Sequence, residues 1–385
     1  MADVPEIHGT VEPGWEGVRD ALAGNFAKGE ELGASAFVTL AGRPVVDIWA
    51  GDRAPDGSPW VEDTIVNVYS TTKTMCAISL MMLVDRGLVD PHEPVATYWP
   101  EFAAGGKGGV TVAQVMAHTS GLAGFEPAIE PETLYDWDRC CEILAAMEPW
   151  WEPGTAAGYH AITHGYLQGE IVRRVDGRSL GTFFREEVAE PLGADFHIGF
   201  GPEHDHRCGE LIPPGQNALD EPDLDPESIA ARTGNSCRLD ATEPQTREWR
   251  ASEIPAAGGF GNARSVGRVH SALACGGTVD GVTLMQPETV ARIVEEQYAG
   301  PDFVLAGDAD LRYGLGFGLP SSRVPLPSPN SFFWGGWGGS LAVIDPDAQL
   351  TVTYVMNRMA PTLQGDTRSG AVLLSAYGAL MAGAA

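Results

Sequence analysis

From Thr72 to Arg86 the chain reads TKTMCAISLMMLVDR, with apolar residues on almost every face. A helix of that kind has no side to give to water, so it must be buried on all sides. Gly87 is its expected stop, and Arg86 in the last turn complements the helix dipole. At its mouth stands Ser70-Thr71-Thr72-Lys73. A serine hydroxyl is a poor nucleophile at neutral pH and needs a base. A lysine three residues on shares its helical face and can reach its oxygen. Free N–H groups at the helix N-terminus would favour an oxyanion there. Burial would lower the pKa of Lys73 toward that of a working base. The chain has only three lysines, Lys28, Lys73 and Lys107. The same four residues also fit an N-capping serine beside a lysine reaching out of the first turn, so the pair alone does not decide.

At 385 residues the chain exceeds one ordinary core and fits about two structural units. A net charge of -28 argues against nucleic acid, anionic membranes and strongly anionic substrates. The opening MADVPEIHGTVEPGW lacks the basic and apolar regions of a signal peptide, and no apolar stretch is long enough to span a bilayer. Cys76, Cys140, Cys141, Cys208, Cys237 and Cys275 form no Cys-x-x-Cys motif, so free thiols in a reducing cytoplasm are expected. His160 and His164 are four apart, but Ala161 stands where a zinc protease has glutamate. His204 and His206 flank Asp205 in a polar loop. None of these has convincing ligand spacing, so no metal or other cofactor is expected.

Along the chain, Gly14–Lys28 reads as an amphipathic helix, and Ala34–Leu40 with Pro44–Trp49 as a hairpin. The middle is mostly helical, with helices expected over Val112–His118, Leu134–Met147, Ala161–Val175 and Leu180–Glu190. The acidic, proline-rich stretch Pro213–Pro226 reads as a surface excursion near the site entrance. Helices follow at Ser265–Ala274 and Pro287–Gln297, with a short hairpin at Val279–Thr283 between them. Strand signals return at Tyr313–Gly318, Phe332–Trp334, Leu341–Ile344 and Leu350–Asn357, before a closing helix over Gly370–Met381. Strands at both ends and helices between them imply a sheet assembled from both ends of the chain around a helical insertion.

A serine–lysine pair needs a second proton carrier and an oxyanion hole. In Trp151-Glu152-Pro153-Gly154-Thr155-Ala156-Ala157-Gly158-Tyr159-His160, a Pro-Gly turn precedes a tyrosine whose phenol could shuttle a proton. A packing tyrosine reads the same way. In Trp334-Gly335-Gly336-Trp337-Gly338-Gly339-Ser340, glycines beside a strand would let a substrate approach the backbone. A plain glycine-rich turn between edge strands also fits.

The order Ser-x-x-Lys, tyrosine after Pro-Gly-Thr, then a Gly-Gly strand resembles the serine β-lactamase and penicillin-binding superfamily. His118-Thr119-Ser120-Gly121-Leu122 resembles an element of the class C-like branch. Leu88-Val89-Asp90, Tyr98-Trp99-Pro100 and Ala257-Gly258-Gly259-Phe260 also fit, so the likeness runs from about Ala34 to Arg358. The chain is most similar to family VIII carboxylesterases, esterases on that fold whose third motif often reads Trp-Gly-Gly where β-lactamases have Lys-Thr-Gly. Here Trp334 takes the place of the lysine that helps hold a substrate carboxylate, which favours uncharged esters. Trp-Gly-Gly occurs twice, and the first copy is preferred because it leaves the Trp337 N–H as oxyanion donor.

The resemblance implies an α+β, class C β-lactamase-like fold. Its antiparallel sheet, flanked by helices, would use residues 1–68 and 252–385, with a mostly helical domain at 69–251 and the site in the cleft between. It implies Ser70 as nucleophile, Lys73 as general base and Tyr159 as proton carrier. The N–H groups of Ser70 and Trp337 would form the oxyanion hole. Trp334, Gly335 and Gly336 would contact substrate, with Trp334 shaping the pocket. The expected activity is hydrolysis of uncharged small-molecule carboxylic esters through a Ser70 acyl-enzyme. A β-lactamase, a D-amino-acid peptidase or amidase, an acyltransferase and a catalytically silent ligand-binding protein remain as alternatives on the same fold.

Overall fold

The computed structural model describes residues 4–215, 225–305, 310–363 and 365–383. Of the Pro213–Pro226 excursion, residues 216–224 lie outside the described residues. The central sheet uses strands β1 (His8–Val11), β2 (Gly33–Leu40), β3 (Arg43–Gly51), β4 (Phe332–Gly335), β5 (Leu341–Asp345) and β6 (Leu350–Met356). Their spatial order is β1-β3-β2-β6-β5-β4, antiparallel throughout. The two ends of the sequence therefore meet where β2 pairs with β6, with Val38 opposite Val352.

Every residue of β6 is buried, and all of β2 except Leu40, so both faces of the sheet are covered. Helix α1 (Glu16–Ala27) packs beside the last helix, Thr367–Met381, on one face. On the other lies Ala263–Ala274, where Ser35 and Thr353 hydrogen-bond to Ala263. Gly267 permits this close approach, since a Cβ there would stand 2.3 Å from Phe37.

The apolar segment forms α2 (Thr72–Asp85), one residue shorter than the sequence suggests and buried from Thr72 to Val84. It packs against α3 (Thr163–Asp176), which begins two residues later than expected. The helix expected over Leu180–Glu190 contains a π turn at Arg185–Ala189. The strand expected over Tyr313–Gly318 is Leu311–Tyr313 instead, paired with Tyr298–Gly300. Gly314 and the left-handed Gly316 turn the chain away at that point. A further sheet was not legible in sequence: Val66–Asn67, His197–Ile198 and Gly259–Gly261. Its strands are too short for periodicity, yet it carries the backbone into the Ser70 turn. Among the described residues no helix is long and apolar enough to cross a membrane.

Candidate active site

Ser70 is the middle residue of a tight 3-10 turn, Tyr69–Thr71, that runs directly into α2. Tyr69 has a positive φ of 44°, a conformation that costs a non-glycine residue about 1–3 kcal/mol. Neighbours hold it there. The Tyr69 N–H donates to Asn67 Oδ1 at 3.0 Å and its phenol to the Ala241 carbonyl at 3.0 Å. Thr72 Oγ1 donates to the Tyr69 carbonyl at 2.5 Å and accepts from the Gly259 N–H at 2.9 Å. The Ser70 hydroxyl is therefore fixed by a turn that cannot relax alone.

Lys73 Nζ lies 3.0 Å from Ser70 Oγ and donates to the carbonyls of Ala161 at 2.7 Å and Ala256 at 3.0 Å. The side chain is fully buried, and burial holds its amine well below the ordinary lysine range. It hydrogen-bonds to carbonyls, and among the described residues no carboxylate pairs with it to offset that desolvation. Tyr159 OH donates to the same Ser70 Oγ at 2.5 Å, and Lys73 Nζ lies 4.8 Å from its ring centre. Burial pushes the phenol up, opposed by the Ser70 hydroxyl and the nearby Trp334 indole N–H. Tyr166, a second tyrosine near this stretch of sequence, donates instead to the Leu134 carbonyl at 2.6 Å.

The Gly-rich segment comes to Ser70 through Gly336. A Cβ at that residue would stand 2.2 Å from the Val68 carbonyl oxygen and 3.3 Å from the Ser70 nitrogen. Neither the Ser70 nor the Trp337 N–H has a hydrogen-bond partner among the described residues. Ser340 Oγ, just past the turn, donates to the Val68 carbonyl at 2.9 Å and lies 2.9 Å from Thr71 Oγ1. This ties the segment to the Ser70 turn from the other side.

Before Ser70 opens a cavity of about 480 Å³, within the range of small-molecule sites. Its walls include Tyr69, Tyr159, Ile162, Leu239 and Trp337, with Arg238 and Asp240 among its polar members. Trp334 does not line it, contrary to the sequence expectation that it shapes the pocket. Inside β4, opposite Ala342, Trp334 is fully buried and stacks on His118 at 5.3 Å. Trp337, beyond the end of the strand, packs on Tyr69 at 5.0 Å and faces the cavity. Gly335 remains within the strand, opposite Leu341.

One supporting residue carried no sequence signal. Asp302 accepts from the Tyr159 N–H at 3.0 Å and from the Tyr313 phenol at 2.9 Å, bracing the tyrosine from behind. It is an isolated acidic residue in a loop, so only the fold reveals it. The His-Thr-Ser-Gly-Leu element braces the other side. His118 Nδ1 accepts from the His160 N–H at 3.1 Å, and Ser120 Oγ lies 2.7 Å from His160 Nε2. Burial lowers the pKa of His118, His160 and His164 alike, His160 to about 3, so this packing stays uncharged at neutral pH.

The chain as a whole has close counterparts among known proteins. The Beta-lactamase family model matches residues 18–377. The chain is 35% identical over 390 residues to "Esterase/beta-lactamase LipL" of Mycobacterium tuberculosis (strain ATCC 25618 / H37Rv), covering 95% of this chain and 86% of that protein. The solved structure of a family VIII carboxylesterase superposes with a TM-score of 0.91 at 40% identity, over 97% of this chain and 100% of its own. A penicillin-binding protein homologue from Caulobacter crescentus superposes with a TM-score of 0.89 at 37% identity, over 97% and 100%. The chain belongs to the Beta-lactamase family and is a hydrolase of the serine β-lactamase and penicillin-binding superfamily.

Proposed function

We propose that this chain is a serine carboxylesterase acting on uncharged small-molecule esters. One observation carries the reading: Ser70 Oγ lies within hydrogen-bond distance of both the buried Lys73 amine and the Tyr159 phenol, at the wall of the cavity. A neutral lysine amine has two N–H donors and one lone pair. The carbonyls of Ala161 and Ala256 take the donors. The lone pair is left for the Ser70 O–H, which makes Lys73 the general base.

Ser70 Oγ attacks the ester carbonyl carbon as its proton passes to Lys73. The tetrahedral oxyanion is held by the N–H groups of Ser70 and Trp337. As the C–O bond to the alcohol breaks, the leaving oxygen takes a proton from Tyr159, whose phenol is restored by the proton that Lys73 took from Ser70. Water then attacks the acyl-enzyme, giving a proton to the same pair and releasing the acid. By the family resemblance Trp334 stands where β-lactamases carry a lysine, which supports neutral substrates; family VIII membership of the similar structure supports esters. We read residues 1–68 and 252–385 as the sheet domain and 69–251 as the helical domain, and the six free cysteines favour a cytoplasmic location.

The test is hydrolysis of p-nitrophenyl butyrate by wild type and Ser70→Ala side by side. Turnover confined to wild type is expected. Equal turnover in both would remove Ser70 from the mechanism. Cephalosporin hydrolysis without ester turnover would select the lactam-directed alternative.

A further inference from the structure

We infer that Arg368 is a positioning residue for the oxyanion hole, acting through the Gly338 carbonyl; the inference rests on the esterase reading above. The turn from Gly336 to Ser340 carries Trp337, whose N–H the esterase reading assigns to the oxyanion hole, and it is held at two points. At the front, Ser340 Oγ ties it to Val68 and Thr71. At the back, Arg368 Nη2 donates to the Gly338 carbonyl at 2.7 Å. Gly338 is the residue after Trp337, so an anchor on its carbonyl, two peptide units beyond the Trp337 N–H, limits how the backbone that carries that donor can turn. The backbone on either side is anchored too: the Gly338 N–H donates to the Thr362 carbonyl, and the Gly338 carbonyl also accepts from the Ala360 N–H, both at 2.9 Å.

The guanidinium is built to hold still. It is nearly fully buried and stands in the first turn of the last helix. Nη1 donates to the carbonyls of Arg358 at 2.8 Å and Glu30 at 3.0 Å, and to Glu31 Oε2 at 3.1 Å. Nε donates to Asp366 Oδ2 at 2.8 Å. Asp366 caps the helix through the N–H groups of Arg368 and Ser369 and orients the guanidinium with its other oxygen. Gly339 makes room for the ion pair, since a Cβ there would stand 2.5 Å from Asp366 Oδ2 and 2.8 Å from Arg368 Nη2. A planar fork that spends its donors on the loop, on the segment after β6 and on two carboxylates fixes direction as well as distance. A lysine supplies a point charge without that geometry.

A misdirected donor weakens stabilisation of an oxygen anion more than that of a larger, weakly accepting sulfur anion. The experiment compares p-nitrophenyl butyrate with its thiono analogue in wild type, Arg368→Lys and Asp366→Asn. Asn remains a good helix cap, so Asp366→Asn keeps the helix start while loosening the guanidinium and decides the matter if Arg368→Lys does not fold. Expected is a loss of about tenfold or more in kcat/KM on the oxo ester, below the about 10²–10³ of losing a donor outright. The oxo-to-thiono rate ratio should narrow in both variants. An equal loss on both substrates marks a purely structural role and overturns the inference, as does no loss in either variant. Absence of ester turnover in wild type would instead sink the esterase reading on which this stands.

Discussion

A single added methyl group tests the geometry around Ser70. In Gly336→Ala the new Cβ would lie 2.2 Å from the Val68 carbonyl oxygen and 2.4 Å from Ser340 Oγ. Carbon and oxygen rarely approach closer than about 3.3 Å, so something must move by about 1 Å. The Ser340 hydroxyl is already bound to Val68 and close to Thr71. The Val68 carbonyl accepts the Thr71 N–H at 3.2 Å and so belongs to the Ser70 turn. The strain therefore separates the Ser70 turn from the Trp337 turn, which is the distance an oxyanion must bridge. A misplacement of about 1 Å can cost about 10²-fold in rate, and overpacking about 1–3 kcal/mol in stability. The assay is kcat/KM for p-nitrophenyl butyrate, with thermal melting to correct for unfolded protein. Gly378→Ala is the control: it sits exposed in the last helix with nothing within 4 Å of its added Cβ, and activity should be unchanged. A Gly336→Ala enzyme within about threefold of wild type, with an unshifted melting curve, would mean that the loop yields freely. The proposed hole would then not be fixed by these contacts.

Three further outcomes are expected. Tyr159→Phe should lose about 10²-fold or more in kcat, the scale of a positioned acid–base group, and a near-normal rate would reassign the proton carrier. Because burial depresses the Lys73 amine, kcat/KM should fall as pH drops through its folded value. The unfolded chain binds that proton at higher pH, so Lys73 costs stability at low pH and the cost fades as pH rises toward about 10.4, the ordinary lysine value. Lys73→Met should therefore be inactive, with a melting temperature that rises less with pH than that of wild type over the alkaline range. Identical pH slopes in the two proteins would refute a depressed amine. Trp337→Ala should open the cavity wall next to Tyr69 and raise kcat/KM for longer acyl chains relative to butyrate, and an unchanged chain-length profile would place the acyl group elsewhere.

What could be read in advance follows from what leaves a local trace. The all-apolar run after Thr72 and the hairpin signals at both ends carried the α+β architecture, because periodicity and turn chemistry are local. Ser70 and Lys73 were legible as a pair because they stand three residues apart where the 3-10 turn runs into α2, so their 3.0 Å contact is local in sequence. Tyr159 needed the family pattern, since nothing local distinguishes it from Tyr166. Asp302, His160 and Arg368 were not legible as site residues. Each acts through contacts with segments far away in sequence, and a buried polar side chain looks like any surface one until the fold closes over it. The exchange between Trp334 and Trp337 is instructive. Sequence identifies both tryptophans, but which one faces the cavity depends on where β4 ends, and strand ends are poorly marked.

The strand order has a consequence for how the protein is made. β6, near residue 350, lies between β2 and β5. A chain emerging from the ribosome completes β2 and β3 early, yet the open edge of β2 waits for some 300 residues of synthesis before its partner appears. Closing so long a loop is slow, and an unpaired apolar edge invites pairing with other chains in the meantime. Nascent molecules should therefore spend much of their synthesis as clients of holding factors. Truncations just before β6 should give insoluble protein even though Ser70, Lys73, Tyr159 and Trp337 are all present.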